Sequence, residues 1–169
     1  QGAERRCGHD RPAEVVAGAV VAGGGREHGV GAGQPLPLTR LTYGPWDDIT
    51  PAISPDGQTV AFASNRSGYW DLYLLNLGSG TVTRLTDTLA YEAAPTWSPD
   101  GEWLAYEAYV SENLEVMIQS VTTPGDPIPL TNNPASDHSP AWSPQGRQIA
   151  FVSNRSGENE IWLADLNKS

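Results

Sequence analysis

Three carboxylates recur at a fixed interval along the chain. Each lies three residues before a proline, at intervals of 44 and then 45 residues: Asp48, Glu92 and Asp137. The pentapeptide SNRSG also occurs twice, at 64–68 and 153–157, and supplies Arg66 and Arg155. Carboxylates that converge on one place can attract a cation or a basic segment, whereas a carboxylate beside an arginine forms an ion pair that ties two loops together. Both interpretations remain open.

No catalytic constellation accompanies these residues. The chain has no Gly-x-Ser-x-Gly sequence for a nucleophilic serine, and its single cysteine, Cys7, excludes an intrachain disulfide and a cysteine-based zinc site. Nothing selects an acid and a base for glycoside hydrolysis among the 16 acidic residues of 37–169. The regular spacing of a calcium loop is absent as well. The sequence therefore predicts no enzymatic activity, no cofactor and no metal site in this chain.

The charge balance limits the class of partner. The chain has 20 acidic and 10 basic residues, for a net charge of −10. Binding to nucleic acid or to anionic lipid requires clustered lysine and arginine, so both are disfavoured. The apolar run VVAGAVVA at 15–22 is far shorter than the roughly 20 residues that span a bilayer. We therefore expect that a charged partner is basic and that the chain does not insert into a membrane.

An internal repeat positions the acids. PAISPDGQTVAF at 51–62 aligns with PTWSPDGEWLAY at 95–106 and with PAWSPQGRQIAF at 140–151. A period of about 40–45 residues, with short alternating strands separated by turn residues, is typical of propeller blades. Each repeat predicts a four-stranded antiparallel blade whose first two strands are joined by a Ser-Pro-Asp-Gly turn. The fold class is therefore all-β, a partial β-propeller of three blades.

These motifs resemble the TolB-type propeller repeat, a relative of WD40 units. Its mark is Pro-x-Trp-Ser-Pro-Asp-Gly, then Ile-Ala-Phe, then Ser-Asn-Arg-x-Gly, and the resemblance covers 37–169 in three copies. The first copy has Ile53 in place of tryptophan, the second lacks the arginine loop, and the third has Gln145 in place of aspartate. The resemblance implies a propeller, commonly six-bladed, with a binding role in a bacterial periplasmic or extracytoplasmic setting.

In such blades the loop before the first strand and the loop after the second strand share one face. This predicts the pairs Asp48–Arg66 and Asp137–Arg155, and no arginine partner for Glu92. Two aromatic residues in the loops before the first strands are candidates for exposed contacts. The predicted partner-binding set for a protein or peptide is Asp48, Glu92, Asp137, Arg66, Arg155, Trp46 and Tyr91.

The domain organisation follows from composition and repeat spacing. Residues 1–36 hold nine of the 18 glycines and no aromatic residue, which predicts a flexible or non-native extension. The first repeat is preceded by an orphan outer strand, and the last lacks its outer strand. The predicted segments are 37–42 for the orphan strand, 43–87 for blade 1, 88–132 for blade 2 and 133–169 for blade 3.

Two explanations of this arrangement remain open. The chain is a piece of a longer propeller, which is favoured because it begins with Gln1 and because repeats need neighbours. Alternatively, it forms a homodimer in which each chain gives its first strand to the last blade of the other, which completes a six-bladed ring. A second functional class also remains: a propeller domain of a larger enzyme or receptor, such as a prolyl-oligopeptidase-like peptidase or a bacterial sensor kinase.

Overall fold

A computed structural model of the chain describes residues 37–123 and 125–166. By its internal contacts the chain divides into two units, residues 1–38 and residues 39–169. The strands of the described residues lie in the second unit, and the predicted extension at 1–36 falls outside those residues. Within the described ranges, no helix combines the length and apolar character needed to cross a bilayer.

The described residues form three antiparallel sheets in which the strands follow one another in chain order. The first sheet contains β1 (Asp48–Ile53), β2 (Thr59–Ser64), β3 (Asp71–Asn76) and β4 (Val82–Arg84). The second contains β5 (Glu92–Trp97), β6 (Trp103–Val110), β7 (Asn113–Ser120) and β8 (Ile128–Pro129). The third contains β9 (Asp137–Trp142), β10 (Gln148–Ser153) and β11 (Glu160–Asp165). The predicted all-β partial propeller is confirmed, and each sheet is one blade.

The Ser-Pro-Asp-Gly turns set the register of the first two strands of each blade. In blade 1, the Gly57 amide donates to the Ser54 carbonyl at 2.8 Å, and the Asp56 carboxylate accepts from the Ser54 hydroxyl at 2.6 Å. Gly57 adopts a φ of 70°, a left-handed conformation that glycine tolerates best. The equivalent glycine of blade 3 closes the same turn although Gln145 replaces the aspartate.

The first strand of each blade bends at one repeated position. The residue before the strand proline has a positive φ of 49° to 52° in all three blades: Thr50, Ala94 and Ser139. The pairing register shifts at this point in each of β1, β5 and β9. The Ala94 amide donates to the Thr50 hydroxyl at 3.1 Å, so the bend also joins blade 1 to blade 2. The first strands of neighbouring blades contact one another and form the inner layer.

Neighbouring blades pack face to face with small residues against large ones. Between blades 1 and 2, Ala63 and Leu72 pack against Tyr106 and Ala108, and all four are buried. The interface between blades 2 and 3 repeats the scheme with Ala105, Val116, Ile149 and Phe151. Because successive strand residues point to opposite faces, each sheet contributes one layer to each neighbouring interface.

The third sheet ends at an uncovered edge in the part of the chain that the structure describes. Strand β11 pairs only with β10 there, and Ile161 is 76% exposed, whereas its repeat equivalent Leu72 is fully buried. Residues 37–42, predicted as an outer strand, lie outside the three sheets. A strand needs a neighbour to bond its backbone groups, and this segment has none among the described residues.

Candidate binding face

Hydrogen-bonded loops define one face of the blades. In blade 1, Asp48 at the start of β1 lies opposite Ser64 at the end of β2, so the flanking loops meet. The Asn65 side-chain carbonyl accepts from the Asp47 amide at 3.0 Å, and the equivalent Asn154 accepts from the Ser136 amide at 2.9 Å. We call this side the loop face; its loops are 43–47, 65–70, 85–91, 111–112, 130–136 and 154–159.

Both predicted ion pairs form on the loop face. Arg66 Nη2 lies 2.9 Å from Asp48 Oδ1, and Arg155 Nη2 lies 2.8 Å from Asp137 Oδ2. In both blades the arginine Nε also donates at 2.9 Å to the serine that begins SNRSG. The pentapeptide is thus a clamp: its asparagine binds the loop that precedes the first strand, and its arginine binds the first residue of that strand.

Aromatic rings hold each arginine in place. A guanidinium over an aromatic ring is attracted to the π-electron cloud, with the largest gain where water is excluded. The distances from the guanidinium carbon to the ring centres are 5.1, 5.2 and 4.7 Å for Trp46, Phe62 and Tyr73 around Arg66, and 5.4 and 4.7 Å for Phe151 and Trp162 around Arg155. These contacts orient the arginines toward the acids.

Blade 2 joins its second and third strands in a different way. Its β6–β7 connection is a two-residue turn, Ser111 and Glu112, with φ values of 51° and 78° that match a tight hairpin. Strands β6 and β7 contain 8 residues each, whereas the second and third strands of the other blades contain 6. The hairpin therefore replaces the arginine clamp.

Without an arginine, Glu92 has an unusual environment. It is buried, and its Oε1 atom accepts from the Thr88 hydroxyl at 3.1 Å. Burial raises the pKa of Glu92, and the side chains of Thr86 and Thr88 only partly oppose this. The charge of nearby Asp71 raises the pKa further. Ionisation of Glu92 therefore costs free energy in the folded state.

In blades 1 and 3, which contain the arginine clamp, the pKa of the equivalent acid is shifted in the opposite direction. Burial raises the pKa of Asp137, but hydrogen bonds from Ser153, Arg155 and Asn133 outweigh it, so the pKa lies below its ordinary value. The pKa of Asp48 is lowered in the same way, since burial is outweighed by the side chains of the first clamp. Equivalent positions thus carry carboxyl groups with opposite pKa shifts.

These opposite shifts predict opposite pH dependences for two conservative variants. A lowered pKa contributes stability above about pH 4 that is lost on acidification, so the stability deficit of Asp137→Asn should shrink as the pH falls below about 4. A raised pKa contributes stability at low pH that is lost as the pH rises, so the stability of Glu92→Gln relative to the wild type should increase as the pH rises above about 4. Urea unfolding at each pH measures both trends, and parallel curves for wild type and variants would contradict the assignment.

The predicted aromatic contacts are also engaged within the chain. Trp46 lies half-buried against Arg66, and the Tyr91 hydroxyl donates to Glu107 Oε1 at 3.2 Å. Together with the three acids and Arg66, they form a layer beneath the exposed loop surface, whereas Arg155 is partly exposed. The structure therefore brings the predicted residues to one face, but in contact with one another.

Sequence reasoning missed a row of three acids and one further glutamate. One is a second row with the same 44- and 45-residue spacing, at or near the start of each third strand: Asp71, Glu115 and Glu160. The period that revealed the first row was a sufficient signal for this one. The other is Glu107, which is buried in β6 and accepts from the Ser139 amide at 2.8 Å, and so joins blade 2 to blade 3. The other repeats have no acid at this position, so the repeat pattern gave no indication of it.

A different set of side chains reaches solvent on the loop face. The exposed aromatic and aliphatic members are Tyr43, Tyr69, Leu89 and Tyr109. The exposed acids are Asp47, Asp87, Glu112 and Glu158. In the described part of the chain, no group of three or more acids, histidines or cysteines is arranged to hold a metal ion. The outermost layer is therefore acidic and partly aromatic.

Stacked antiparallel sheets of four, four and three strands, with inner first strands and a shared loop face, define a β-propeller. The family model of the TolB beta-propeller domain matches residues 38–111 and 93–169. The chain belongs to this family.

Known proteins with similar sequences include a peptidase and TolB. The chain is 42% identical over 62 residues to "Uncharacterized peptidase YuxL" of Bacillus subtilis, a match that covers 36% of this chain and 9% of that protein. It is 32% identical over 76 residues to the Tol-Pal system protein TolB of Francisella tularensis subsp. mediasiatica, covering 44% of this chain and 18% of that protein. The matches thus span only a minor part of each relative's length.

Solved structures show the same fold. TolB from Acinetobacter baumannii superposes with a TM-score of 0.68 at 24% identity, covering 76% of this chain and 32% of that chain. A puromycin-hydrolyzing peptidase of Mycobacterium tuberculosis superposes with a TM-score of 0.59 at 15% identity, covering 73% and 20%. Propellers of this type therefore occur both in TolB and within larger peptidases.

Proposed function

We propose that this chain is a non-catalytic binding module that recognises a basic segment of a protein or peptide through the loop face. One observation carries the proposal. The arginines of that face, Arg66 and Arg155, are neutralised by their own acids, whereas Asp47, Glu112 and Glu158 are exposed. The face therefore presents negative charge to a partner, which favours encounter with a positive segment.

The seven predicted site residues have a defined part in this proposal. Asp48, Glu92 and Asp137 are too enclosed to meet a partner directly, and Arg66 and Arg155 are held by them. With Trp46 and Tyr91 they act as positioning residues that fix the loops. The exposed acids and tyrosines above them make the contact, since tyrosine offers a large amphipathic surface with few rotatable bonds.

The similarity to the Tol-Pal system protein TolB supports a bacterial and extracytoplasmic setting for this module. The similarity to the YuxL peptidase supports a second candidate, in which the module is the propeller domain of a larger enzyme. The reading frame that encodes these repeats distinguishes the two candidates: a catalytic domain encoded in the same frame would favour the second. A fused kinase domain would instead indicate a sensor receptor.

A labelled lysine-rich peptide tests the electrostatic recognition. We expect Asp47→Asn/Glu158→Gln to weaken binding about tenfold, because two favourable charge contacts are lost. Raising the salt concentration should weaken wild-type binding, because exposed charges are screened. Fluorescence anisotropy with the purified chain gives both results.

A matched variant separates the loop face from the overall charge. Glu102→Gln/Asp126→Asn makes the same change of charge in exposed turns at the opposite end of the sheets. It should bind the peptide as the wild type does. Equal weakening by both double variants would reject the loop face as the site, and binding that ignores salt would reject the electrostatic basis.

A further inference from the structure

We propose that β11 of one copy of this chain pairs with residues 39–42 of a second copy, in a register fixed by the repeat. This goes beyond recognition at the loop face, because it concerns the outer edge of the last sheet. The edge is open in the described residues: Ile161 is 76% and Leu163 is 59% exposed. The segment is open as well, with Thr39, Arg40 and Leu41 exposed.

The sequence of this segment repeats that of an outer strand. Residues 39–42 read TRLT, as do residues 83–86 in blade 1. There, the Leu85 amide donates to the Leu72 carbonyl at 2.8 Å, and the Leu72 amide donates to the Thr86 hydroxyl at 2.9 Å. Blade 2 repeats both bonds at 2.8 and 2.9 Å with Leu130, Val116 and Thr131. The Leu-Thr pair is therefore the element that binds an outer strand to its blade.

The repeat transfers this pattern to the third blade. Ile161 stands where Leu72 and Val116 stand, and Leu41 and Thr42 stand where the Leu-Thr pairs stand. Since Tyr73 pairs with Arg84 in blade 1, Arg40 is placed opposite Trp162. This register assigns the open backbone groups of Ile161 to Leu41 and Thr42 of the second copy.

Charge complementarity supports the same register. In blade 1, Arg84 Nη2 lies 2.8 Å from Asp71 Oδ2, which also accepts from the Ser67 hydroxyl. Glu160 is the equivalent acid of blade 3, and it accepts from the equivalent serine at 2.6 Å. No arginine or lysine within the described ranges forms an ion pair with Glu160. The proposed register brings Arg40 to it.

Space is available for that side chain. Opposite residues of an antiparallel pair have their side chains on the same side of the sheet, so Arg40 would lie beside Trp162. On this side is a cavity of about 270 Å³, lined in part by Thr131, Arg155, Trp162 and Ala164. Arg40 now folds over the Tyr43 ring at 4.5 Å, so docking requires it to extend.

Thr42 already makes half of the expected contacts. In blade 1, Thr86 accepts from Leu72 and its side chain also interacts with Glu92 of the next blade. The Thr42 side chain interacts in the same way with Asp48 of the blade that follows it. Burial raises the pKa of Asp48, and the side chains of Ser64, Arg66 and Thr42 lower it. In the described residues, Thr42 lacks the second contact, a hydrogen bond from the backbone amide of a third strand, which Leu72 donates to Thr86 in blade 1. If the exchange is reciprocal, two sets of three blades close a six-bladed ring.

Charge reversal on each side provides the experiment. Arg40→Glu and Glu160→Arg should each be monomeric alone, because each homodimer would place like charges together. An equimolar mixture should associate, since both of its contacts pair Arg with Glu. Sedimentation velocity of wild type, both variants and the mixture gives the masses. Association of the wild type and the mixture, but of neither variant alone, is the expected result.

Hydrogen exchange identifies the edge that is used. The Ile161 amide should be protected in the wild type and in the mixture, and should exchange rapidly in Glu160→Arg alone. A wild type that stays monomeric up to its solubility limit would overturn the proposal, as would association that ignores both substitutions. Protection of Ile161 in a monomer would also overturn it, because the edge would then be filled from within the same chain.

Discussion

Replacing Asp137 with alanine is expected to lower the free energy of unfolding by about 3 kcal/mol, because removal of one partner leaves a partly buried charge uncompensated. The Asp137 side chain is fully buried, and the paired Arg155 side chain is 31% exposed. Asn133 Nδ2 also loses its acceptor, which lies at 3.0 Å. Urea denaturation followed by tryptophan fluorescence measures the change.

The matched control is Asp126→Ala, which removes the same charge from an exposed turn. It should change the free energy of unfolding by less than about 0.5 kcal/mol. The double variant Asp137→Ala/Arg155→Ala should cost less than the sum of the two single changes, because the arginine no longer remains unpaired. A cost for Asp137→Ala no larger than that of the control would show that the clamp does not stabilise the fold.

Replacing Leu72 with alanine should cost about 3 kcal/mol, because a fully buried leucine between two blades leaves a cavity when truncated. The repeat supplies its own control. Ile161 occupies the same position of the third blade at 76% exposure, and Ile161→Ala should cost less than about 1 kcal/mol in a monomer.

Both truncations should be made in the Glu160→Arg background, so that self-association does not bury Ile161. Thermal and urea unfolding then compare equivalent side chains with and without a neighbouring blade. Equal costs at the two positions would mean that inter-blade packing contributes little to stability.

The repeat period predicted more of the molecule than any single motif. Equivalent residues of stacked blades reach the same end of each sheet, so the spacing of the acids was enough to predict the Asp48–Arg66 and Asp137–Arg155 pairs. The Ser-Pro-Asp-Gly turns likewise predicted where the first two strands of each blade reverse. The ion pairs and the turns depend only on local sequence and on the order of the strands.

Features that depend on neighbouring blades were not predictable in this way. The depth of Glu92 follows from the loops of blade 1 that pack over it, and no property of the residue itself indicates that depth. Glu107 replaces a small apolar residue in one repeat only, so its bond to blade 3 follows no period. Residues 39–42 have the composition of a strand, but no strand among residues 43–123 and 125–166 pairs with them.

The unequal hairpin of blade 2 gives the loop face an uneven relief. Asp48 and Glu92 lie at the same level, yet β6 continues two residues beyond the partner of Glu92 and carries Tyr109 and Val110 outward. At about 3.3 Å per residue, the hairpin extends about 7 Å beyond the level of Glu92 and forms a ridge on the loop face. A broad flat surface would meet only the crest of this ridge. An extended chain could lie beside it, with the ridge as one wall and an arginine-clamped loop as the other.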